Sequence, residues 1–183
     1  MRNPDKTYSD LTQEEVQRLL QEMKAFYDKG LTRNLSYRKY QLRKLKSVIK
    51  KYEQDIEAAL YKDLGKSAAE SFMTEIGILY TSISWMLKNM DRHLQVKRAQ
   101  PHLPTILSQG FIYKEPYGTV LIISAFNYPF QLLLEPLIGA IAAGNVAVVK
   151  PSEQAVYTEA ILIKIRSFEI PFLAYSRDTH IIF

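Results

Sequence analysis

The amino-acid sequence predicts an α/β fold, in which amino-terminal helices lead into a parallel β-sheet. Two short apolar, β-branched runs, Val120–Ser124 and Val146–Val149, are typical of strands covered on both faces. An apolar segment of helical length, Phe130–Ala143, lies between them. A strand, a helix and a strand in about thirty residues form a βαβ unit, whose two strands are parallel.

Long amphipathic helices are predicted ahead of this unit. The segment Thr12–Glu15 has the residues of a capping box, so a first helix begins there and Gly30 ends it. Apolar residues recur every three or four positions across Ser36–Lys62, which predicts one continuous second helix. Gly65 stops that helix.

A third helix and an extended segment come next. Ser67–Glu70 is a second predicted capping box, and its helix runs to about Asn89. Residues 91–110 contain prolines and mixed charge, which indicates an extended crossing segment with room for short strands. Phe111–Lys114 predicts a strand, and Glu115–Gly118 predicts the turn that leads into the βαβ unit.

Proline and glycine divide the βαβ unit itself. Asn127-Tyr128-Pro129 ends the first strand, and Pro136 predicts a kink inside the helix because it removes a backbone hydrogen bond. Gly144 closes the helix with a left-handed cap, and Lys150-Pro151 stops the second strand. Another helix is predicted over Gln154–Ile165. Ligands of such sheets bind outside the carboxyl ends of the strands, so the two loops that follow the strands are the expected site.

Length and composition exclude several functional classes. The chain has 183 residues with 47% hydrophobic content, and its net charge of +5 is too mild to require nucleic acid. It contains no cysteine, which excludes disulfides, cysteine-ligated zinc, iron–sulfur clusters and thiol catalysis by its own residues. The opening has no apolar signal region, and the longest apolar run is too short for a bilayer. We therefore expect a cytoplasmic protein without a membrane partner.

A basic cluster on the second predicted helix allows two interpretations. It could bind nucleic acid or a membrane, or it could be the solvated face of an amphipathic helix. The solvated face is favoured, because most of these residues flank the apolar stripe: Arg33, Arg38, Lys39, Arg43, Lys44, Lys46, Lys50 and Lys51. The histidines show no metal-ligand spacing, so no metal site is predicted.

Four segments resemble a known family. PYGTVLIISAFNYPF, PLIGAIAAGN and VVKPSE are similar to the aldehyde dehydrogenase superfamily, and LGKSAAESFMTEIG is similar to the helical lead-in of its class 3 branch, which acts on fatty and aromatic aldehydes. The resemblance covers roughly residues 8 to 165 and only the amino-terminal portion of a family chain. It implies amino-terminal helices followed by the first part of a parallel Rossmann-type sheet, truncated at its carboxyl side. The activity it implies is the NAD(P)-dependent oxidation of an aldehyde to a carboxylic acid.

Asn127 is the strongest single candidate for a catalytic residue. The resemblance implies that its side-chain amide donates to the oxyanion formed when a cysteine thiolate attacks the aldehyde, a role that needs a neutral, fixed donor. Without the resemblance, an Asn before Tyr-Pro would be taken for a turn former.

The resemblance also implies that Lys150 and Glu153 hold the adenosine ribose hydroxyls of NAD or NADP, while Ser152 shapes the loop. An ammonium donates to hydroxyls and a carboxylate accepts from them. The alternative is an ordinary charged loop after a strand. A carboxylate here also disfavours the extra phosphate of NADP, although family members of this kind can use both cofactors.

Ser124, Ala125 and Phe126 line the same strand end and are candidates to contact cofactor or substrate, whereas Tyr128 is expected to pack in the core. No phosphate-binding glycine motif is present.

The chain is expected to hold three parts. Residues 1–110 are the helical lead-in and crossing segment, residues 111–165 begin the NAD(P)-binding α/β domain, and residues 166–183 form a tail without the family pattern, in which no third strand is expected. A frameshift or truncated reading frame explains such a tail, and a natural short form is the alternative.

The family's nucleophilic cysteine and general-base glutamate lie beyond this sequence. The chain is therefore expected to be an inactive fragment of an aldehyde dehydrogenase. The alternative is a non-catalytic protein that assembles with full-length family members. Exposed strand edges and apolar faces also predict self-association.

Overall fold

A computed structural model describes residues 12–100, 107–166 and 173–175 of the chain, the last three by their backbone alone. The helices are α1 (Gln13–Asp28), α2 (Leu35–Lys51), α3 (Glu53–Leu64), α4 (Ala68–Ser71), α5 (Gly77–Leu94), α6 (Gln131–Ala143) and α7 (Val156–Arg166). A 3₁₀ turn covers Leu31–Arg33, and a π-helical turn, Phe72–Ile76, joins α4 to α5. The strands are β1 (Lys97–Ala99), β2 (Gly110–Ile112), β3 (Thr119–Ile123), β4 (Val146–Lys150) and β5 (Leu173–Tyr175).

The start of α1 confirms the predicted capping box. The Thr12 hydroxyl accepts from the Glu15 backbone N–H at 3.3 Å, and the Glu15 carboxylate accepts from the Thr12 N–H at 2.8 Å. These bonds satisfy amide groups that have no partner inside the helix. Backbone bonding by Thr12 also lowers the pKa of the fully exposed Glu15.

The prediction of a single helix over Ser36–Lys62 is wrong, because the structure has two helices, α2 and α3, separated at Tyr52. Tyr52 leaves helical geometry with φ −105° and ψ 15°, while its side chain stays buried. The apolar stripe continues across the break, with Ile49 and Ile56 both fully buried. The spacing of apolar residues therefore does not indicate the break between the two helices. Gly65 ends α3 in the left-handed region, as predicted.

The third predicted helix differs in detail. Ser67 accepts from the Glu70 backbone N–H at 3.2 Å, but the reciprocal bond of a capping box is not formed among the described residues. The helix then passes through the π-helical turn before continuing as α5. Such turns insert an extra residue into a helix and re-aim the side chains around it. Glu75 lies in this turn and is fully buried.

The sheet confirms the predicted βαβ unit. β3 and β4 are parallel, with Thr119 beside Val146 and Ile123 beside Lys150, and α6 connects them. The strands and α6 supply much of the buried core, together with the inner faces of α2, α3 and α5. β1 and β2 form a separate antiparallel pair. The predicted strand at Phe111–Lys114 is thus shifted, since β2 covers Gly110–Ile112.

The carboxyl-terminal tail requires a correction. No third strand was expected after Arg166, yet Leu173–Tyr175 forms β5, which pairs in parallel with β4 from Ala147 to Val149. This places β4 at the centre of a three-stranded sheet. β5 is only three residues long, too short to show the alternating or β-branched pattern of a strand. Its formation therefore depends on pairing with the free edge of β4.

One member of the basic cluster is not solvated. Arg38 is buried, and its guanidinium donates to the carbonyl oxygens of Thr32, Arg33 and Ala142. It therefore holds the carboxyl end of α6, where carbonyl groups lack helical partners. Burial lowers the pKa of Arg38. In the described part of the chain, no helix is long and apolar enough to cross a bilayer.

Replacing Gly144 by Ala is expected to lower the free energy of unfolding by about 2–4 kcal/mol. Gly144 has φ +91°, and an added Cβ would lie 2.6 Å from the Arg38 guanidinium. Gly139→Ala is the matched control, because a Cβ there meets nothing within 4 Å. In a helix interior that change should raise stability by about 0.5–1 kcal/mol. Urea unfolding measures both, and equal effects at the two positions would contradict this explanation.

Candidate active site and cofactor site

The structure brings two of the predicted site loops together at one edge of the sheet. β3 and β4 end side by side, with Ile123 in register with Lys150. The Ser124 backbone N–H then donates to the Lys150 carbonyl oxygen at 2.9 Å. The loop that carries Asn127 and the loop that carries Glu153 therefore start from adjacent strand ends, where ligands of parallel sheets bind.

Asn127 lies exposed on the first loop. Within the described residues its side-chain amide makes no hydrogen bond, so the amide is available to an incoming group. The loop itself is closed by Ser124, whose hydroxyl lies 3.1 Å from the carbonyl oxygens of Ala125 and Pro129. Ser124 is buried, whereas Ala125 and Phe126 are exposed at the strand end.

Lys150 and Glu153 are brought together on the second loop. The Lys150 ammonium lies 2.8 Å from the Glu153 carboxylate, and both side chains retain some exposure. The pair combines an ammonium, which donates, with a carboxylate, which accepts, and this suits adjacent hydroxyl groups of a sugar. Ser152 is buried, and its hydroxyl accepts from the Gln154 backbone N–H at 3.3 Å. Ser152 therefore stabilises the loop.

A buried ion pair that was not predicted from the sequence lies behind the Asn127 loop. The Lys66 ammonium lies 2.6 Å from the Glu75 carboxylate, and the two side chains are 8% and 0% exposed. Lys66 also donates to the Asn127 carbonyl oxygen at 3.1 Å. Both residues occur in LGKSAAESFMTEIG, a segment interpreted only as a helical lead-in. The sequence signal that could have indicated a buried, paired carboxylate was a glutamate at position 75, in a segment that also holds the apolar Met73 and Ile76.

Tyr128 does not pack in the core, contrary to expectation. Its side chain is 38% exposed, and its ring lies under the Lys66 ammonium, which is 3.8 Å from the ring centroid. A lysine over an aromatic face is attracted by the ring quadrupole. One side of the Tyr128 ring thus contacts the buried Lys66 ammonium, while the rest of the side chain remains exposed. Among the described residues, no group of three His, Cys, Asp or Glu side chains could hold a metal ion.

The family model described as "Aldehyde dehydrogenase family" matches residues 3–171 of the chain. The chain belongs to the aldehyde dehydrogenase family. The match extends past Arg166, where the tail without the family pattern was expected to begin. As a family member the chain is related to oxidoreductases that act on aldehydes.

Two curated relatives are aldehyde dehydrogenases, and the name of the second agrees with the class 3 resemblance. The 4,4'-diaponeurosporen-aldehyde dehydrogenase of Staphylococcus aureus is 50% identical over 138 residues, which are 75% of this chain and 30% of that protein. Aldehyde dehydrogenase family 3 member H1 of Arabidopsis thaliana is 42% identical over 151 residues, or 82% of this chain and 31% of that protein. The chain thus spans about a third of the length of aldehyde dehydrogenases that it matches.

Solved structures of aldehyde dehydrogenases share the fold. The substrate-bound state of Staphylococcus aureus AldH superposes with a TM-score of 0.85 at 42% identity, covering 88% of this chain and 36% of that one. A succinic semialdehyde dehydrogenase from Streptococcus pyogenes, solved with NADP⁺ as the cofactor, has a TM-score of 0.73. At 16% identity, over 94% of this chain and 38% of that one, the second likeness concerns the fold alone.

Proposed function

We propose that this chain supplies the oxyanion donor and part of the cofactor site of an NAD(P)-dependent aldehyde dehydrogenase, and that it does not complete the reaction alone. The observation that carries this proposal is the juxtaposition of two loops, in which Ser124 donates to the Lys150 carbonyl at 2.9 Å. That bond brings the Asn127 loop beside the Lys150–Glu153 loop. A donor for the reacting aldehyde and groups for a cofactor therefore share one edge of the sheet.

Asn127 would stabilise negative charge on the aldehyde oxygen. When a thiolate attacks the carbonyl carbon, the oxygen becomes an anion, and an amide N–H directed at it lowers the barrier. The loss of one such donor in other enzymes lowers the rate by about 10²–10³-fold. The side chain is exposed and has no hydrogen-bond partner in the described residues, which supports this role.

Lys150 and Glu153 would hold the two ribose hydroxyls of NAD or NADP, the ammonium donating and the carboxylate accepting. Their mutual bond at 2.8 Å has to open or share its partners when a sugar enters. Opening this pair offsets part of the free energy that the contacts with the sugar contribute. When bound, the nicotinamide accepts the hydride that leaves the aldehyde carbon.

The thiolate has to come from another segment or chain, because this sequence contains no cysteine. Serine and threonine hydroxyls are weak nucleophiles unless a base activates them. The nucleophilic cysteine and the general base are accordingly expected from the part of the family chain that this sequence does not span. The aldehyde itself is proposed to be fatty or aromatic, after the class 3 resemblance.

The purified chain, mixed with NAD or NADP and a panel of aliphatic and aromatic aldehydes, is expected to form no reduced cofactor above background. Absorbance of the reduced nicotinamide measures this. A rate that survives repurification and falls in Asn127→Ala would overturn the view that the chain is catalytically incomplete.

An alternative role is a non-catalytic subunit that assembles with full-length family members. Exposed apolar side chains, such as Phe126 at the site and Phe72 on the π-helical turn, favour contact with further protein. Sequencing the DNA after codon 183 in all three frames separates the two roles. Family motifs downstream support a fragment of one enzyme, and their absence together with a co-purifying full-length relative supports assembly.

A further inference from the structure

The loop that carries Asn127 is anchored from behind by the buried pair of Lys66 and Glu75. The Lys66 ammonium donates to the Asn127 carbonyl oxygen at 3.1 Å and to the Glu75 carboxylate at 2.6 Å. Glu75 comes from the π-helical turn and is fully buried. The contact therefore joins the helical part of the chain to the main chain of the proposed oxyanion donor.

The same carboxylate holds the other end of the loop. Its second oxygen accepts from the backbone N–H groups of Phe130 and Gln131 at 2.9 and 3.1 Å. These amides open α6 and have no partner inside the helix, and Phe130 has no side-chain oxygen to cap it. Glu75 thus acts as the missing cap, and its negative charge suits the positive end of the helix.

Tyr128 provides a third attachment, because its ring lies 3.8 Å from the Lys66 ammonium. The loop from Asn127 to Gln131 is therefore fixed by its carbonyl, its ring and its amides to one ion pair. Asn127 itself is different, since its exposed side-chain amide makes no hydrogen bond to the described residues. Its direction depends on the backbone that carries it.

We propose that Lys66 and Glu75 are positioning residues, which hold Asn127 where its amide can meet the developing oxyanion. This inference rests on the proposed function of Asn127. A donor of this kind acts because it is in place before the charge forms. Burying two charges is expensive, and apolar replacements of such pairs are often equally stable. The pair is therefore better explained by the geometry it imposes than by stability.

The first test uses the unmodified chain, isotope-labelled for NMR. The Lys66 ammonium protons are expected to give a resolved signal, because burial slows their exchange with water. They should also show a through-space contact to the ring protons of Tyr128. A Lys66 side chain with the rapid exchange and averaged shifts of an exposed lysine would overturn the proposal without any variant.

The second test is Lys66→Met/Glu75→Gln, which removes both charges but keeps a similar volume and an acceptor for α6. The order parameters of the Asn127 and Tyr128 amides are expected to fall from about 0.85, the value of rigid backbone, to below about 0.6. The order parameters of the Phe130 and Gln131 amides should stay near 0.85, because the side-chain carbonyl oxygen introduced at position 75 still accepts from these amides. Unchanged order parameters at Asn127 and Tyr128 in a folded variant would overturn the proposal. If the variant does not fold, the first test decides.

Lys164→Met/Asp55→Asn is the matched control. It removes an exposed pair that joins α3 to α7 with a distance of 3.0 Å and leaves the Asn127 loop untouched. Loosening at Asn127 in this control as well would show a general loss of rigidity and would contradict a specific role for the buried pair.

Addition of NAD to the unmodified chain tests the proposed function separately. Shift changes at Lys150–Glu153 report the cofactor site and do not depend on Lys66. If these changes are absent while Asn127 loosens in the buried-pair variant, the cofactor role fails and the positioning inference stands. If they are present while Asn127 stays rigid in that variant, the inference fails and the cofactor role stands.

Discussion

Replacing Glu75 by Ala is expected to lower the free energy of unfolding by about 3–5 kcal/mol, the range for breaking a buried ion pair. The change leaves the Lys66 ammonium buried at 8% exposure without its counter-charge. It also leaves the Phe130 and Gln131 amides without the carboxylate oxygen that accepts from them at 2.9 and 3.1 Å. Each unsatisfied buried donor adds to the loss. Urea unfolding followed by circular dichroism measures the effect.

Asp55→Ala is the control for this prediction. Asp55 pairs with Lys164 at 3.0 Å, but both side chains are more than half exposed. Exposed pairs of this kind contribute about 0–1 kcal/mol. A loss at Glu75 no greater than the loss at Asp55 would mean that the buried pair does not support the loop.

Replacing Lys150 by Ala is expected to weaken NAD binding about 10- to 150-fold, which takes it beyond detection. A charged hydrogen bond is worth about 1.5–3 kcal/mol net, and each factor of ten in the dissociation constant corresponds to about 1.4 kcal/mol. Lys150 and Glu153 together supply about 3–6 kcal/mol, before the cost of immobilising the ligand. A millimolar dissociation constant already needs about 4 kcal/mol, so the unmodified chain should bind at millimolar concentration or weaker.

Calorimetric titration of the unmodified chain, Lys150→Ala and a control, Lys24→Ala, measures this difference. Lys24 forms an exposed pair with Asp28 on α1 and should leave binding unchanged. Equal affinities for the Lys150 and Lys24 variants would exclude Lys150 from the cofactor site.

The βαβ unit could be predicted because its signals are local. The two β-branched runs predict strands, and the apolar segment that Gly144 closes predicts a helix between them. A strand, helix and strand in this order form a parallel pair with a right-handed crossover. The carboxyl ends of the strands then place the loop that carries Asn127 beside the loop that begins at Lys150. The family resemblance added the roles of these residues, which spacing alone would not have indicated.

Other features depend on tertiary contacts and could not be predicted. The break at Tyr52 leaves the apolar stripe continuous, so periodicity does not reveal it. β5 forms by pairing with the edge of β4, and its three residues show no strand pattern. Lys66 and Glu75 are nine residues apart, and Lys66 lies between two predicted helices while Glu75 lies inside the second. Their pairing involves the π-helical turn that carries Glu75, which residue spacing does not indicate.

We propose that the two loops at the ends of β3 and β4 form one ligand site. The most direct measurement is an NMR titration of the isotope-labelled chain with NAD. Saturable shift changes are expected in the amides of Ser124–Asn127 and of Ser152–Glu153, and these changes should be lost in Lys150→Ala. Saturable changes confined to other parts of the chain, with both loops unmoved, would contradict it.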